Sequence, residues 1–389
     1  MRLALAAVTL SLVIVGGATA QVWSGAWGWA PAGVSETPTG TPRADDPRGP
    51  LGPASVSNAT LRQVVRVTAS GQRVRLRVSN EYGASPLVLG AVKVAKGAQT
   101  RVVTFGGKNA VSIPAGAPML SDPVDLSVGA FEELAVSVFL PQQTTLPGHR
   151  LRQKLASGDQ TAATIDTSVM RLGALVTGVE VERLRKGVVI VAIGDSITEG
   201  TGSTADAWRA WPDQLAERLK GVAVVNAGIG GNRLLNNVSG PSGLSRFDRD
   251  VLAVTGVTHV MVLEGINDIG RATRPEFAHQ PVTADDLITG YRQIIARAHA
   301  RGLKAVGATI PPYEGANYFT EGGEATRQAV NAWIRTSKAF DGFADFDAAT
   351  RDPANPRRLR AQFHSGDWLH PSDAGYAAMA GAVDPKLFD

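Results

Sequence analysis

Beyond about Arg183, short apolar runs alternate with amphipathic stretches, and this alternation restricts the possible folds more than any other feature of the chain. The runs are VVIVAI from Val188, GVAVVNA from Gly221, THVMVLEG from Thr258 and LKAVGATI from Leu303; between or after them lie AWPDQLAERLK, DDLITGYRQIIARAHARG and EATRQAVNAWIRTSKAF. Continuous apolar strands separated by amphipathic helices are the pattern of a parallel sheet covered on both faces, because the crossover helices must pack on the sheet. The expectation is a three-layer α/β domain with a flavodoxin-like parallel sheet.

The residues before it have a different period. From Thr60 to Leu140 polar and apolar residues alternate with period two, and PLVLGAVKVA, TRVVTF, NAVSIPAG and ELAVSVFLP are separated by Gly, Pro, Asn and Asp. Alternation of this kind gives strands with one wet face, and many short ones suggest an all-β sandwich or jelly-roll-like domain. Within it, RQVVRVTASGQRVRLRVSNEYG reads as a hairpin turning at Ser70-Gly71. We expect a β-rich accessory domain over residues 21–183 and an α/β domain over 184–389, with the charged junction VEVERLRKG exposed. Ser35 to Pro53, rich in Pro, Gly and Thr, reads as a loop wrapping the first domain.

The first residues give Arg2, an apolar run from Leu3 to Val15 and then Ala18-Thr19-Ala20. This is the form of a secretory signal with cleavage after Ala20. The run falls short of the ~20 apolar residues that span a bilayer, so the mature chain is expected to be secreted or periplasmic, with no stable membrane anchor. With no cysteine, the chain has no disulfide, thiol chemistry or cysteine metal ligand. Its 39 Lys and Arg against 35 Asp and Glu form no block of like charge, which argues against a nucleic-acid partner.

The first apolar run of the α/β part ends in Gly194-Asp195-Ser196, which would place Ser196 where ligands gather, beyond the carboxyl end of a parallel strand. A plainer reading makes Ser196 a helix cap. A serine nucleophile needs a base; of His149, His259, His279, His299, His364 and His370, His299 lies in a helix, His259 precedes a strand and His279 lies beside Pro281 in a polar loop, whereas His370 follows Asp367 within one turn, in Asp367-Trp368-Leu369-His370, with a helix expected just after Pro371. Such a carboxylate can hold the imidazole tautomer. Asn226 to Leu235 (NAGIGGNRLL) and Leu263 to Gly270 (LEGINDIG) end two further apolar runs; glycine backbone N–H groups and the Asn267 amide suit a developing oxyanion.

Taken in order, Gly194-Asp195-Ser196, Gly228-Ile229-Gly230-Gly231-Asn232, Gly265-Ile266-Asn267-Asp268 and Asp367-Trp368-Leu369-His370 resemble the four blocks of the SGNH hydrolases, or GDSL esterase/lipase family, over about half the chain. The resemblance implies Ser196 as nucleophile, His370 as base and then acid, Asp367 as the orienting carboxylate, and Ser196, Gly231 and Asn267 as oxyanion donors. It also implies an open site, ester substrates, and neither cofactor nor metal. Two departures are Ile197 in place of the family's Leu, and Gly230-Gly231 where many relatives have Ser-Gly. The residues after Ser196 do not form G-x-S-x-G, so no α/β-hydrolase elbow is expected. The substrate expected is an acetylated carbohydrate or polysaccharide, with lipid or aryl esters as the alternative. Two other classes stay open: a metal phosphoesterase using Asp195, Asn267, Asp268 and His370, and a glycan-binding protein presenting Trp23, Trp27 and Trp29. Because every block lies beyond Arg183, the chemistry is expected to need the α/β half alone, so that a chain starting near Val181 would retain it.

Overall fold

The structure is a computed structural model that describes residues 21–33 and 50–389. The signal-like segment and most of the Ser35–Pro53 stretch lie outside the described residues. Up to Arg183 the described chain is built from strands. One antiparallel sheet has the order Val22–Gly28, Val176–Arg183, Val74–Ser79, Pro118–Leu120. A second has the order Val169–Gly173, Arg150–Ser157, Ala59–Arg66, Glu133–Leu140, Ala91–Lys96, Gln99–Val102. Alternate residues of the two, such as Leu76 and Val78 from the first and Leu134, Val136 and Leu61 from the second, share one buried apolar core. Period-two patterning produces this arrangement, because each strand offers one apolar face.

The hairpin expected at Ser70-Gly71 is absent. Ala59–Arg66 pairs with Glu133–Leu140 and Arg150–Ser157, whereas Val74–Ser79 pairs with Val176–Arg183 and Pro118–Leu120. The segment between them therefore passes from one sheet to the other. Alternation determines which face of each strand is buried and leaves the partner open. The junction is also corrected: Val176–Arg183 is an inner strand, and Glu180 and Glu182 are buried. Arg75 and Arg73 neutralise them at 2.5 and 2.6 Å, so charge in the first part of the junction marks ion pairs, whereas Leu184 to Lys186 are exposed as expected.

The α/β half has five parallel strands, β1 (Val189–Gly194), β2 (Ala223–Gly228), β3 (His259–Leu263), β4 (Lys304–Ala308) and β5 (Gly342–Ala344), in the order β2-β1-β3-β4-β5. This 2-1-3-4-5 order is flavodoxin-like and reverses direction beside β1, where ligands collect. The strand β5 was not anticipated; three residues are too few to show a pattern. The helices are α1 (Ser196–Glu199), α2 (Trp211–Arg218), α3 (Gly243–Phe247), α4 (Ile266–Ala272), α5 (Ala284–His299), α6 (Glu321–Thr336), α7 (Phe346–Thr350) and α8 (Asp373–Gly381). One layer packs α2 against α8 and α8 against α7; the other packs α5 against α3 and α6. No helix among the described residues is long and apolar enough to cross a membrane.

Candidate active site

β1 is wholly buried and ends at Gly194, which is glycine because a side chain there would run into Thr198 and the Leu263 carbonyl. Asp195, in extended backbone, caps α1 by accepting the Ile197 N–H at 2.8 Å. The cap is thus Asp195, and Ser196 is the first residue of the helix. Its hydroxyl lies 2.8 Å from His370 Nε2.

His370 Nδ1 lies 2.6 Å from Asp367 Oδ2, so a proton on Nδ1 is donated to the carboxylate and Nε2 is left to accept from the serine. The other carboxylate oxygen, Oδ1, accepts the backbone N–H groups of Leu369 and His370 at 3.0 and 2.9 Å. Partial burial works against ionisation of Asp367, but His370 and these two N–H groups outweigh it and hold the carboxyl well below the usual range. The turn needs Trp368 in the left-handed region at φ 58°, a conformation costing a side-chain-bearing residue about 1–2 kcal/mol. The indole is held in compensation: it stacks on His364 at 3.9 Å, and the Arg358 guanidinium lies 5.2 Å from its ring centre.

The loops after β2 and β3 bring up the remaining residues. Gly231 has φ 73°, a conformation glycine accommodates without strain. Asn267, buried on the first turn of α4, donates one amide hydrogen to the Asn232 carbonyl at 3.0 Å; a carboxamide has a second hydrogen to give. Asp268 accepts the Leu234 and Leu235 N–H groups at 2.7 and 3.0 Å, which ties the loop after β2 to α4. Burial pushes Asp268 up to about 6 and Asp195 up to about 7, against the hydrogen bonds each accepts.

The other histidines are engaged elsewhere. His259 is buried at the start of β3 against Phe388, His299 meets Asp341 at the surface, and His279 lies in an exposed loop. His149, in the β-rich half, reaches Glu199. For the metal reading, no three His, Asp or Glu side chains gather as ligands among the described residues, and Asp195 and Asp268 already accept backbone N–H groups. Of the three tryptophans, Trp23 lies under the Arg75 guanidinium at 4.4 Å and Trp29 stacks on His149 at 4.2 Å; all three are partly buried.

One residue the sequence gave no sign of is Arg246 in α3, buried to 1 % exposure. It donates to the carbonyls of Gly194 at 2.8 Å and Ala227 at 2.6 Å, to Asn232 Oδ1 at 2.9 Å, and to Asp250 and Glu264 at 3.1 and 3.3 Å. It thereby pins the carboxyl ends of β1, β2 and β3, where the site loops begin.

Residues 192–378 match the GDSL-like lipase/acylhydrolase family. Among solved structures, the chain is similar to a G-D-S-L family protein from Desulfitobacterium hafniense (22 % identity, 52 % of this chain and 99 % of the other, TM-score 0.41). It is also similar to a GDSL-like lipase from Bacteroides thetaiotaomicron (21 %, 51 % and 87 %, TM-score 0.39) and an acetyl xylan esterase from Geobacillus stearothermophilus (24 %, 51 % and 93 %, TM-score 0.39). No curated protein matches. With the four blocks meeting at the carboxyl ends of a 2-1-3-4-5 sheet, the α/β half of this chain belongs to the GDSL-like lipase/acylhydrolase family, has the SGNH hydrolase fold, and makes the chain a carboxylic ester hydrolase.

Proposed function

We propose that the chain is an exported serine esterase that cleaves its substrate through an acyl-enzyme and removes acetyl groups from a carbohydrate or polysaccharide. The observation that carries the mechanism is the unbroken line from Ser196 Oγ through His370 to Asp367, at 2.8 and 2.6 Å. His370 Nε2 takes the serine proton as Oγ attacks the ester carbon. The resulting oxyanion receives hydrogen bonds from the backbone N–H groups of Ser196 and Gly231 and from the Asn267 amide. Collapse expels the alcohol, which leaves with the proton from His370; water, deprotonated by the same nitrogen, then releases the acid and restores the serine.

For the substrate, the supporting observation is exposure. Asp367 is exposed and His370 half-buried, so the turn carrying them opens to solvent and leaves room for a bulky alcohol. Export rests on the signal-like first 20 residues. The test is Ser196→Ala: esterase activity should vanish while the circular dichroism spectrum and melting temperature stay those of the parent, and a serine-directed organophosphate should label Ser196 alone. Near-parental turnover by the purified variant would overturn the mechanism. Acetylated xylan and pectin, compared with long-chain acyl and aryl esters, decide the substrate class, and a preference for long acyl chains would favour the lipid alternative.

A further inference from the structure

In the α/β half, Glu199 closes α1 three residues after Ser196. One of its carboxylate oxygens, Oε2, is buried without a hydrogen-bond partner and lies 2.6 Å from where a side chain on Gly230 would begin. The other, Oε1, lies 3.3 Å from Nε2 of His149, a residue of the β-rich half. His149 is buried, stacked on Trp29, and its Nδ1 lies 2.6 Å from the Ala30 carbonyl.

This geometry counts protons. A carbonyl can only accept, so the hydrogen on the His149 ring sits on Nδ1. Nε2 of a neutral ring would then present a lone pair to a carboxylate oxygen, two acceptors face to face. One further proton held between Nε2 and Oε1 turns this facing pair into a hydrogen bond. That proton makes the pair an imidazolium beside a carboxylate, or a neutral imidazole beside a carboxylic acid, and its net charge is zero either way.

We propose that His149 is a positioning residue for ester hydrolysis: from the β-rich half it holds and neutralises Glu199, which would otherwise place an uncompensated negative charge against the Gly230-Gly231 oxyanion loop. Negative charge there opposes the charge that develops in the transition state, where a low dielectric magnifies it. The same contact leaves no room for a side chain at residue 230. A Cβ would collide with Oε2, and although that oxygen ends a flexible side chain, His149 prevents it from swinging away. The inference rests on Gly231 as an oxyanion donor in the reading above.

The experiment is a double-mutant cycle in the full chain on a small acetyl ester. His149→Phe keeps the stack on Trp29 and removes the proton. It should lower kcat about tenfold with KM within twofold, less than the hundredfold or more for losing an oxyanion donor outright. Adding Glu199→Gln removes the stranded charge and should restore most of that loss. A folded His149→Phe with parental kcat overturns the proposal, as does a loss that Glu199→Gln leaves unchanged. If His149→Phe does not fold, Gly230→Ala takes its place: the loss it causes should shrink at least fivefold when Glu199 is also alanine, and equal losses in both backgrounds overturn the proposal. Turnover by Ser196→Ala would instead undo the reading on which this one stands, so the two failures are told apart.

Discussion

A hydroxyl in the first turn of a helix is ordinarily drawn to the unpaired N–H groups there, and at Ser196 that competition is removed because Asp195 already accepts from Ile197. Asp195 provides this from a fully buried position, with a consequence for stability. Its folded value of about 7 lies above the ordinary carboxyl value of about 4. Between the two the native state holds a proton that the unfolded chain has released, so this group's contribution is fully favourable below about pH 4 and is progressively lost as pH rises to 7. Asparagine also caps helices. The melting temperature of Asp195→Asn relative to the parent should therefore rise between pH 4 and 7 and level off above; a difference that is flat with pH would refute the burial argument. Asp367 behaves oppositely. Held below the usual range, it stays ionised wherever esterase activity is measurable, and Asp367→Asn should lower kcat on the order of a thousandfold, since the imidazole tautomer is lost. A loss of less than tenfold would separate Asp367 from the reaction. For Asn267→Ala, whose amide has one hydrogen left to give, the expected loss in kcat is about a hundredfold with little change in KM.

At the scale of elements, the four site loops were legible because each is local: a strand end, a glycine turn and a cap are specified by neighbours in sequence. What holds the loops together was not. Arg246 takes partners from 4 to 52 residues away, and His149 reaches Glu199 across 50. Nothing in the pattern SRFDRD or GHR marks either. The same reason explains the missing hairpin at Ser70-Gly71, since two alternating strands joined by a turn satisfy their burial equally by pairing with each other or by dividing between two sheets. Arg246 gives this a measurable form. Arg246→Met would leave the Gly194 and Ala227 carbonyls without this donor and Glu264 buried without its cation. Removing one partner from a buried ionic network costs about 3–5 kcal/mol. Urea unfolding should show a loss in that range, with the parental m-value; a loss below about 1 kcal/mol would mean that the strand ends are held by backbone pairing alone.

For the whole molecule, the expectation that the chemistry needs only the α/β half meets a specific obstacle at β2. This strand is the edge of the parallel sheet, and an edge exposes unpaired backbone groups and apolar side chains unless something covers it. The β-rich half covers it. The Thr68 hydroxyl accepts the Val224 N–H at 3.0 Å, Gly25 N–H donates to the Thr255 carbonyl at 2.8 Å, and the packing is so close that a side chain at Gly28 would collide with Val225 and one at Gly25 with Val254. Arg66 with Glu217 at 2.7 Å, Tyr82 with Arg249 at 2.6 Å and Arg152 with Asp206 at 2.9 Å extend the seam. A chain starting near Val181 would also begin inside the strand Val176–Arg183. Starting at Leu184 avoids that cut, yet still uncovers Val224, Val225 and Ala227, which are buried in the intact chain. The fragment 184–389 should therefore melt well below the intact chain, bind a hydrophobic dye and lose turnover even on a small acetyl ester. Adding the separately expressed residues 21–183 should raise both stability and turnover if the seam is what is missing. A fragment that melts with the intact chain and hydrolyses the small ester at the parental rate would show that β2 tolerates its open edge, and that the β-rich half serves the substrate rather than the fold.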